Sequence, residues 1–279
     1  MTVRIVTDSV ADIPAEIVEE LGITVVPIHV CFGNEVYRDG IDISTKQFYK
    51  RLKNSKVIPT TAVPAPGIFA ETYNKLAEET DEIVAIVLTS KLSGFYNVAK
   101  QGIELMEKKC RVEVIDSKWA IMAEGFIVMA AARAARAGAG INEVLELVRK
   151  NISRVQLCAA FDTLEYLKRG GRVGKAAALM GSMFHIHPII GLEDGVVVPF
   201  GKARSMPEAI EYLYNFAAKY SYIEELSVAC YSAVEEARQL IDRLSKIFPH
   251  ERIIRAGTSP VIGTHTGPNL IALAIMGDR

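Results

Sequence analysis

The segment Glu82-Ile83-Val84-Ala85-Ile86-Val87-Leu88, followed by Thr89-Ser90-Lys91-Leu92-Ser93-Gly94, decides how the chain is read. A nearly continuous apolar run of strand length has no polar face to turn to water, so it belongs inside a sheet covered on both sides. The hydroxyl-rich turn that ends it leads into residues 95–107, where apolar side chains recur at helical spacing. Strand, polar turn and helix form the repeating unit of a parallel sheet, and the unit recurs on both sides of this one. Residues 3–7, 24–30 and 112–115 read as strands, and 15–21, 45–53, 66–78 and 120–137 as helices, several of them opened by Ser, Thr or Pro. The expected class is α/β, with an N-terminal parallel sheet in an α/β/α layering.

The pattern changes after a helix at 141–152. A strand at 155–161 runs into a basic, glycine-rich loop, and Leu192-Glu193-Asp194-Gly195-Val196 is a hairpin signal, which a purely parallel sheet has no use for. Strands at 226–231, 252–256 and 270–276, with helices at 207–220 and 234–248, complete an α+β domain with a mixed sheet. The division is expected near residue 150, giving domains 1–150 and 151–279. No Pro/Ser-rich linker separates them, so a substantial shared interface is expected.

Composition narrows the function. The 279 residues carry 32 Lys+Arg and 33 Asp+Glu, a formal charge of −1 without a basic stripe, which argues against nucleic-acid partners. The longest uninterrupted apolar stretch, 125–132, is closed by Arg133 and is far short of the ~18 residues of a membrane span. The chain starts directly on a strand pattern, and Cys31, Cys110, Cys158 and Cys230 are scattered among apolar neighbours, so a cytoplasmic protein with reduced thiols is expected.

In an open parallel sheet, ligands collect beyond the carboxyl ends of the strands. The residues there are Asp8-Ser9, Thr89 to Gly94 and Asp116-Ser117, with Pro59-Thr60-Thr61 ahead of the helix that starts near Pro66. Each is also an ordinary helix cap or turn residue. Gathered on one edge, Thr60, Thr61 and Ser93 beside helix N-termini would suit a carboxylate or phosphate oxygen. The second half offers Lys168-Arg169-Gly170-Gly171-Arg172-Val173-Gly174-Lys175, with four cations. It is not a nucleotide loop, because the spacing is one residue short and Ala176 replaces the hydroxyl that would hold magnesium. Arg172, between Gly171 and Val173, is the cation expected to turn inward, where its fork would match a carboxylate. His185 and His187 alternate along the chain without a Cys, Asp or Glu cluster, so no metal site is expected. His265 lies in Val261-Ile262-Gly263-Thr264-His265-Thr266-Gly267-Pro268, read as a glycine-bracketed loop that presents a side chain, and functional and structural roles are equally open for it. A hydrolase would use Ser93 as nucleophile, His265 as base and Asp8 or Asp116 as orienting acid. Against this, Lys91 stands where a nucleophile elbow needs glycine.

These segments together resemble the DegV family of bacterial fatty-acid-binding proteins, along the whole chain. The resemblance is carried by Thr7-Asp8-Ser9 with Asp12 and Pro14, Pro59-Thr60-Thr61, Ser90-x-x-Ser93-Gly94 and Ile115-Asp116-Ser117. It continues through Tyr166-Leu167-Lys168-Arg169-Gly170-Gly171-Arg172, Asp194-Gly195 with Lys202 and Arg204, and Gly263 to Pro268. It implies a two-domain fold shared with dihydroxyacetone kinase subunits and one long-chain fatty acid held between the domains. It further implies a non-enzymatic carrier that presents the carboxylate to a separate ATP-binding fatty acid kinase subunit for acyl phosphate formation. By the same resemblance Thr61 and Ser93 bind the carboxylate, and Thr60, Arg172 and His265 stand nearby for phosphotransfer. No cofactor or metal is implied, and transient contact with a membrane is left open. A small-ketone adduct on His265 is the alternative that the kinase-like fold suggests. The chain departs from the family pattern at Ala62-Val63, where Ser-Gln is common, at His187, where lysine often precedes the proline, and at Trp119 and Glu124, where small residues are usual. These changes are expected to reshape the pocket.

Overall fold

The computed structural model describes residues 2–182 and 186–279, so His185 lies outside the described residues. In chain order the elements are β1 (Arg4–Asp8), α1 (Ala15–Leu21), β2 (Thr24–Val26), β3 (His29–Phe32), β4 (Glu35–Arg38), α2 (Thr45–Asn54), β5 (Thr60–Ala62), α3 (Pro66–Leu76) and β6 (Glu82–Val87). Then come α4 (Phe95–Glu104), β7 (Arg111–Asp116), α5 (Ile121–Arg136), α6 (Ile141–Ile152), β8 (Val155–Ala160), α7 (Glu165–Arg169), β9 (His187–Glu193) and β10 (Val196–Ala203). The chain closes with α8 (Met206–Ala217), β11 (Tyr222–Cys230), α9 (Val234–Leu244), β12 (Ile253–Ala256), α10 (Pro260–Thr266) and β13 (Ile271–Asp278).

The apolar run after Asp81 is β6, whose Ile83 to Val87 are wholly buried in the middle of a parallel sheet ordered β2-β1-β6-β7. The strand order reverses between β1 and β6, and ligands in open sheets favour the crevice at such a reversal. The second sheet is ordered β10-β9-β8-β13-β11-β12, antiparallel except for the β11–β12 pair, and Asp194-Gly195 turns its β9–β10 hairpin. The mixed sheet expected from the hairpin signal is therefore present. A third, small antiparallel sheet, β4-β3-β5, was not expected. It splits the strand expected at 24–30 in two and turns Thr60-Thr61-Ala62 into an edge strand paired with β3.

Helix α5 joins the halves. Its residues from Ile121 through Met129 are all buried, and only near its C-terminus do Arg133 and Arg136 reach water. A helix that is apolar all round must be covered all round, and α5 packs on β1 and β6 of the parallel sheet and on β8, β11 and β13 of the mixed one. Helices α3 and α4 contact the parallel sheet, and α8 and α9 the mixed sheet. One apolar core accordingly runs from Val6 through Met129 to Leu157 and Met276.

Beneath the junction lie four buried carboxyl groups. Asp8 accepts hydrogen bonds from the Val10 and Leu88 amides at 2.9 and 2.8 Å, and Asp12 from the Ser259 amide at 3.2 Å. Asp39 bonds Ser9 and the Val261 amide, while Glu124, on α5, accepts from the Thr7 hydroxyl at 3.3 Å and shares a hydrogen bond with Asp8. Burial pushes Asp8 up to about 6 and Asp39 to about 7, and it lifts Asp12 and Glu124 well above the usual carboxyl range, with mutual repulsion adding to each of the last three. A carboxyl raised on folding contributes stability that is complete below its ordinary value and fades as pH rises through the folded value. For Asp8, moving from 3.8 to about 6 corresponds to roughly 3 kcal/mol at most. In urea melts from pH 5 to 8, the wild type should therefore lose stability relative to Glu124→Gln, which keeps a donor for Asp8 without the like charge. A difference independent of pH would refute the coupling.

Candidate functional site

Beyond the carboxyl ends of β1, β6 and β7, a cavity of about 340 Å³ opens between the two halves, within the size range of small-molecule sites. Val10, Leu88, Leu92, Ala120 and Ile121 line it from the parallel-sheet side, and Leu157, Ala159, Ile190, Leu192 and Val197 from the mixed sheet. Its polar side chains are few: Thr61, Ser93, Arg172, His265 and Thr266. Four of the residues singled out from sequence thus meet in one lining. The fifth, Thr60, is exposed and instead borders a smaller pocket of about 160 Å³ with Tyr166, Arg169 and Thr264. Thr61, Arg172 and His265 border both spaces.

Each of these side chains is held by its own element. Thr61 sits on β5, and its hydroxyl lies 2.9 Å from His265 Nε2. Ser93 ends the turn after β6, its Oγ accepting from the Phe95 amide at 3.2 Å at the start of α4. Arg172 follows α7 and donates from Nε to the Leu92 carbonyl at 3.1 Å and from its terminal nitrogen to the Gly170 carbonyl, so the second half of the chain grips the turn that carries Ser93.

His265 corrects the sequence reading. Residues 261–266 are not a loop but part of α10, capped by the Ser259 hydroxyl, opened by Pro260 at its first turn and ended by Gly267 with φ +75°. The helix fits because Gly263 has no Cβ: one would sit 2.5 Å from the Tyr49 hydroxyl and 2.7 Å from the Phe48 ring. Gly170 likewise leaves room for the His265 ring. His265 is therefore packed in place beside the cavity. Its Nδ1 has no hydrogen-bond partner among the described residues, and burial first, then the Arg172 charge, lowers its pKa to about 4.

This is not the hydrolase arrangement. His265 Nε2 faces Thr61, Asp8 is bonded to the Val10 and Leu88 amides, and Asp116 accepts from the Ser90 and Lys118 amides at 3.2 and 2.9 Å. Among the described residues no group of three or more His, Cys, Asp or Glu could hold a metal ion, and no helix is long and apolar enough to cross a membrane. Of the departures noted in the sequence, Ala62 and Val63 line the cavity. Trp119, whose indole donates to the Ile152 carbonyl at 2.9 Å, and Glu124 are buried outside its lining, and His187 lies 3.3 Å from the Asp162 carboxylate. The site feature that the sequence did not reveal is Ile121, whose backbone is left-handed at φ +57°.

An imidazole held neutral by burial should show it in solution. NMR titration of the His265 ring is expected to give a midpoint below 5, moving upward in Arg172→Met as the neighbouring charge is removed. A midpoint near 6.5 in the wild type would contradict the packing described.

Compared with known proteins, the chain matches the family model described as "Uncharacterised protein, DegV family" over residues 2–278. It is 36% identical over 277 residues to the DegV domain-containing protein SCO2569 of Streptomyces coelicolor, covering 98% of each chain. Among solved structures it superposes on a DegV family protein of Thermus thermophilus described for its fatty acid binding, with a TM-score of 0.89, 29% identity and coverage of 99% and 100%. It also superposes on DegV, a fatty acid binding protein from Bacillus subtilis, with a TM-score of 0.88, 30% identity and 99% of each chain covered. A match that takes in both sheets, α5 between them and every segment lining the cavity leaves one conclusion: the chain belongs to the DegV family.

Proposed function

We propose that this protein holds one long-chain fatty acid in the cavity between its halves and presents the carboxylate to a separate ATP-binding kinase subunit, which makes the acyl phosphate. The observation that carries the reading is the lining itself, an apolar chamber whose polar side chains are Thr61, Ser93, Arg172, His265 and Thr266. At about 0.8 kcal/mol per buried methylene, a long acyl tail supplies more than ~10 kcal/mol of gross driving force, so the tail dominates affinity and the head group fixes orientation. In this reading the Thr61 and Ser93 hydroxyls bind the carboxylate. Arg172 supplies the positive charge near the head group, and His265, beside Thr61, stands near for the phosphotransfer step. Thr60 and Arg172 border the outer pocket, where the kinase subunit would reach the head group.

On the same reading the protein is a carrier rather than an enzyme, works in the cytoplasm, and needs neither cofactor nor metal of its own. On this reading the domains are 1–150 and 151–279, dividing in the last turn of α6. The two solved relatives, both described as binding fatty acid, support the ligand class.

The deciding measurement is native mass spectrometry of the protein as purified, with analysis of the extracted lipid. One equivalent of long-chain fatty acid is expected. Thr61→Ala and Ser93→Ala should retain part of it, and Arg172→Ala should retain it yet yield at least tenfold less acyl phosphate with its kinase, consistent with ~1.4 kcal/mol or more of lost positioning. An empty protein that refuses added fatty acid, or one that cleaves esters in a manner abolished by Ser93→Ala, would overturn the proposal.

A further inference from the structure

Helix α10 follows β12 in the chain, so by sequence it belongs to the second half, yet its first turn is held by the first. The amide hydrogens at the start of any helix have no partner within it. Here each has one outside: the Ser259 amide donates to Asp12 Oδ1 at 3.2 Å, the Val261 amide to Asp39, and the Ile262 amide to Ser259 Oγ at 3.4 Å. Pro260, between the first two, has no amide hydrogen to place. Asp12 lies in the turn after β1, and Asp39 follows β4 and is itself bonded to Ser9. Beside them the Tyr49 hydroxyl, on α2, stands 2.7 Å from Thr258 Oγ1, and α10 packs on α2, β3 and β5.

A helix of seven residues is about 10 Å long and unstable by itself, and Gly263, Thr264 and Thr266 weaken it further. Its place is set by what holds it. His265 stands one turn beyond Val261, so a shift of the first turn passes directly to the ring whose Nε2 is 2.9 Å from the Thr61 hydroxyl. The two carboxyl groups are a costly way to hold a helix. They repel each other, and each leaves its Oδ2 buried without a partner among the described residues. We propose that Asp12 and Asp39 are positioning residues for His265: by accepting the first amides of α10 they fix the height and rotation of that helix against β5, and so keep the imidazole on Thr61. The proposal rests on the fatty-acid reading of the site, in which His265 stands near for phosphotransfer.

Asp12→Ala and Asp39→Ala remove the acceptors, and Asp12→Asn and Asp39→Asn restore one each. The alanine variants should keep their fatty acid, because the apolar lining is untouched. Their kcat for acyl phosphate formation should fall about tenfold or more with little change in KM for the loaded carrier. The midpoint of the His265 ring should rise by about one unit or more, toward ~6.5, as the ring is freed into water. The asparagine variants should recover most of both changes. Alanine variants that lose stability while kcat and the His265 midpoint stay unmoved overturn the inference, since the carboxyls then serve the fold alone. If the alanine variants fail to fold, amide hydrogen exchange of the wild type decides. The Ser259 and Val261 amides, ordinarily open at a helix start, should exchange no more than about tenfold faster than those of β6, and free exchange overturns the inference. A wild type that carries no fatty acid overturns the underlying reading instead, and the ring midpoint and the exchange rates still judge how α10 is held.

Discussion

Everything in this molecule hangs on the burial of α5. A helix without a polar face can be stable in water only as an interior layer, and here the layer is shared, with β1 and β6 against it from one half and β8, β11 and β13 from the other. Neither half can be removed without baring the residues from Ile121 through Met129. The cavity is a by-product of the same packing. It lies where α5 begins, beyond the ends of β1, β6 and β7, so its walls belong to both halves and its shape depends on how they meet.

Much of this was legible from the residues. Ile83 to Val87 read as an interior strand and Asp194-Gly195 as a hairpin turn, and the parallel and mixed sheets followed from them. What escaped were elements whose stability is not local. Strands β4 and β5 are four and three residues long, largely exposed, and exist because β3 offers them partners. Helix α10 reads as a loop because Gly263, Thr264 and Thr266 are weak helix formers, and its cap and its fit against Phe48 and Tyr49 override that preference.

The site shows the same division. Thr61, Ser93, Arg172 and His265 could be nominated from residue type and position, but the Thr61–His265 contact spans 204 residues of sequence and depends on β5 and α10 both being where they are. The buried Glu124 sat at the edge of the longest apolar run, where nothing marked it as facing Asp8 rather than water. The left-handed Ile121 is invisible to any reading of composition or period, because a β-branched residue is the last that local preference would place at φ +57°.

The wall between the two pockets is the thickness of a few side chains. Thr61, Arg172 and His265 each show one side to the apolar chamber and another to the outer recess. On the proposed reading, such a partition would separate storage from access: a fatty acid lodged inside would be met at its polar end from the recess while its apolar remainder stayed sheltered from water. Handling and release would then be distinct events, the first set by three side chains and the second by the whole contact between the halves.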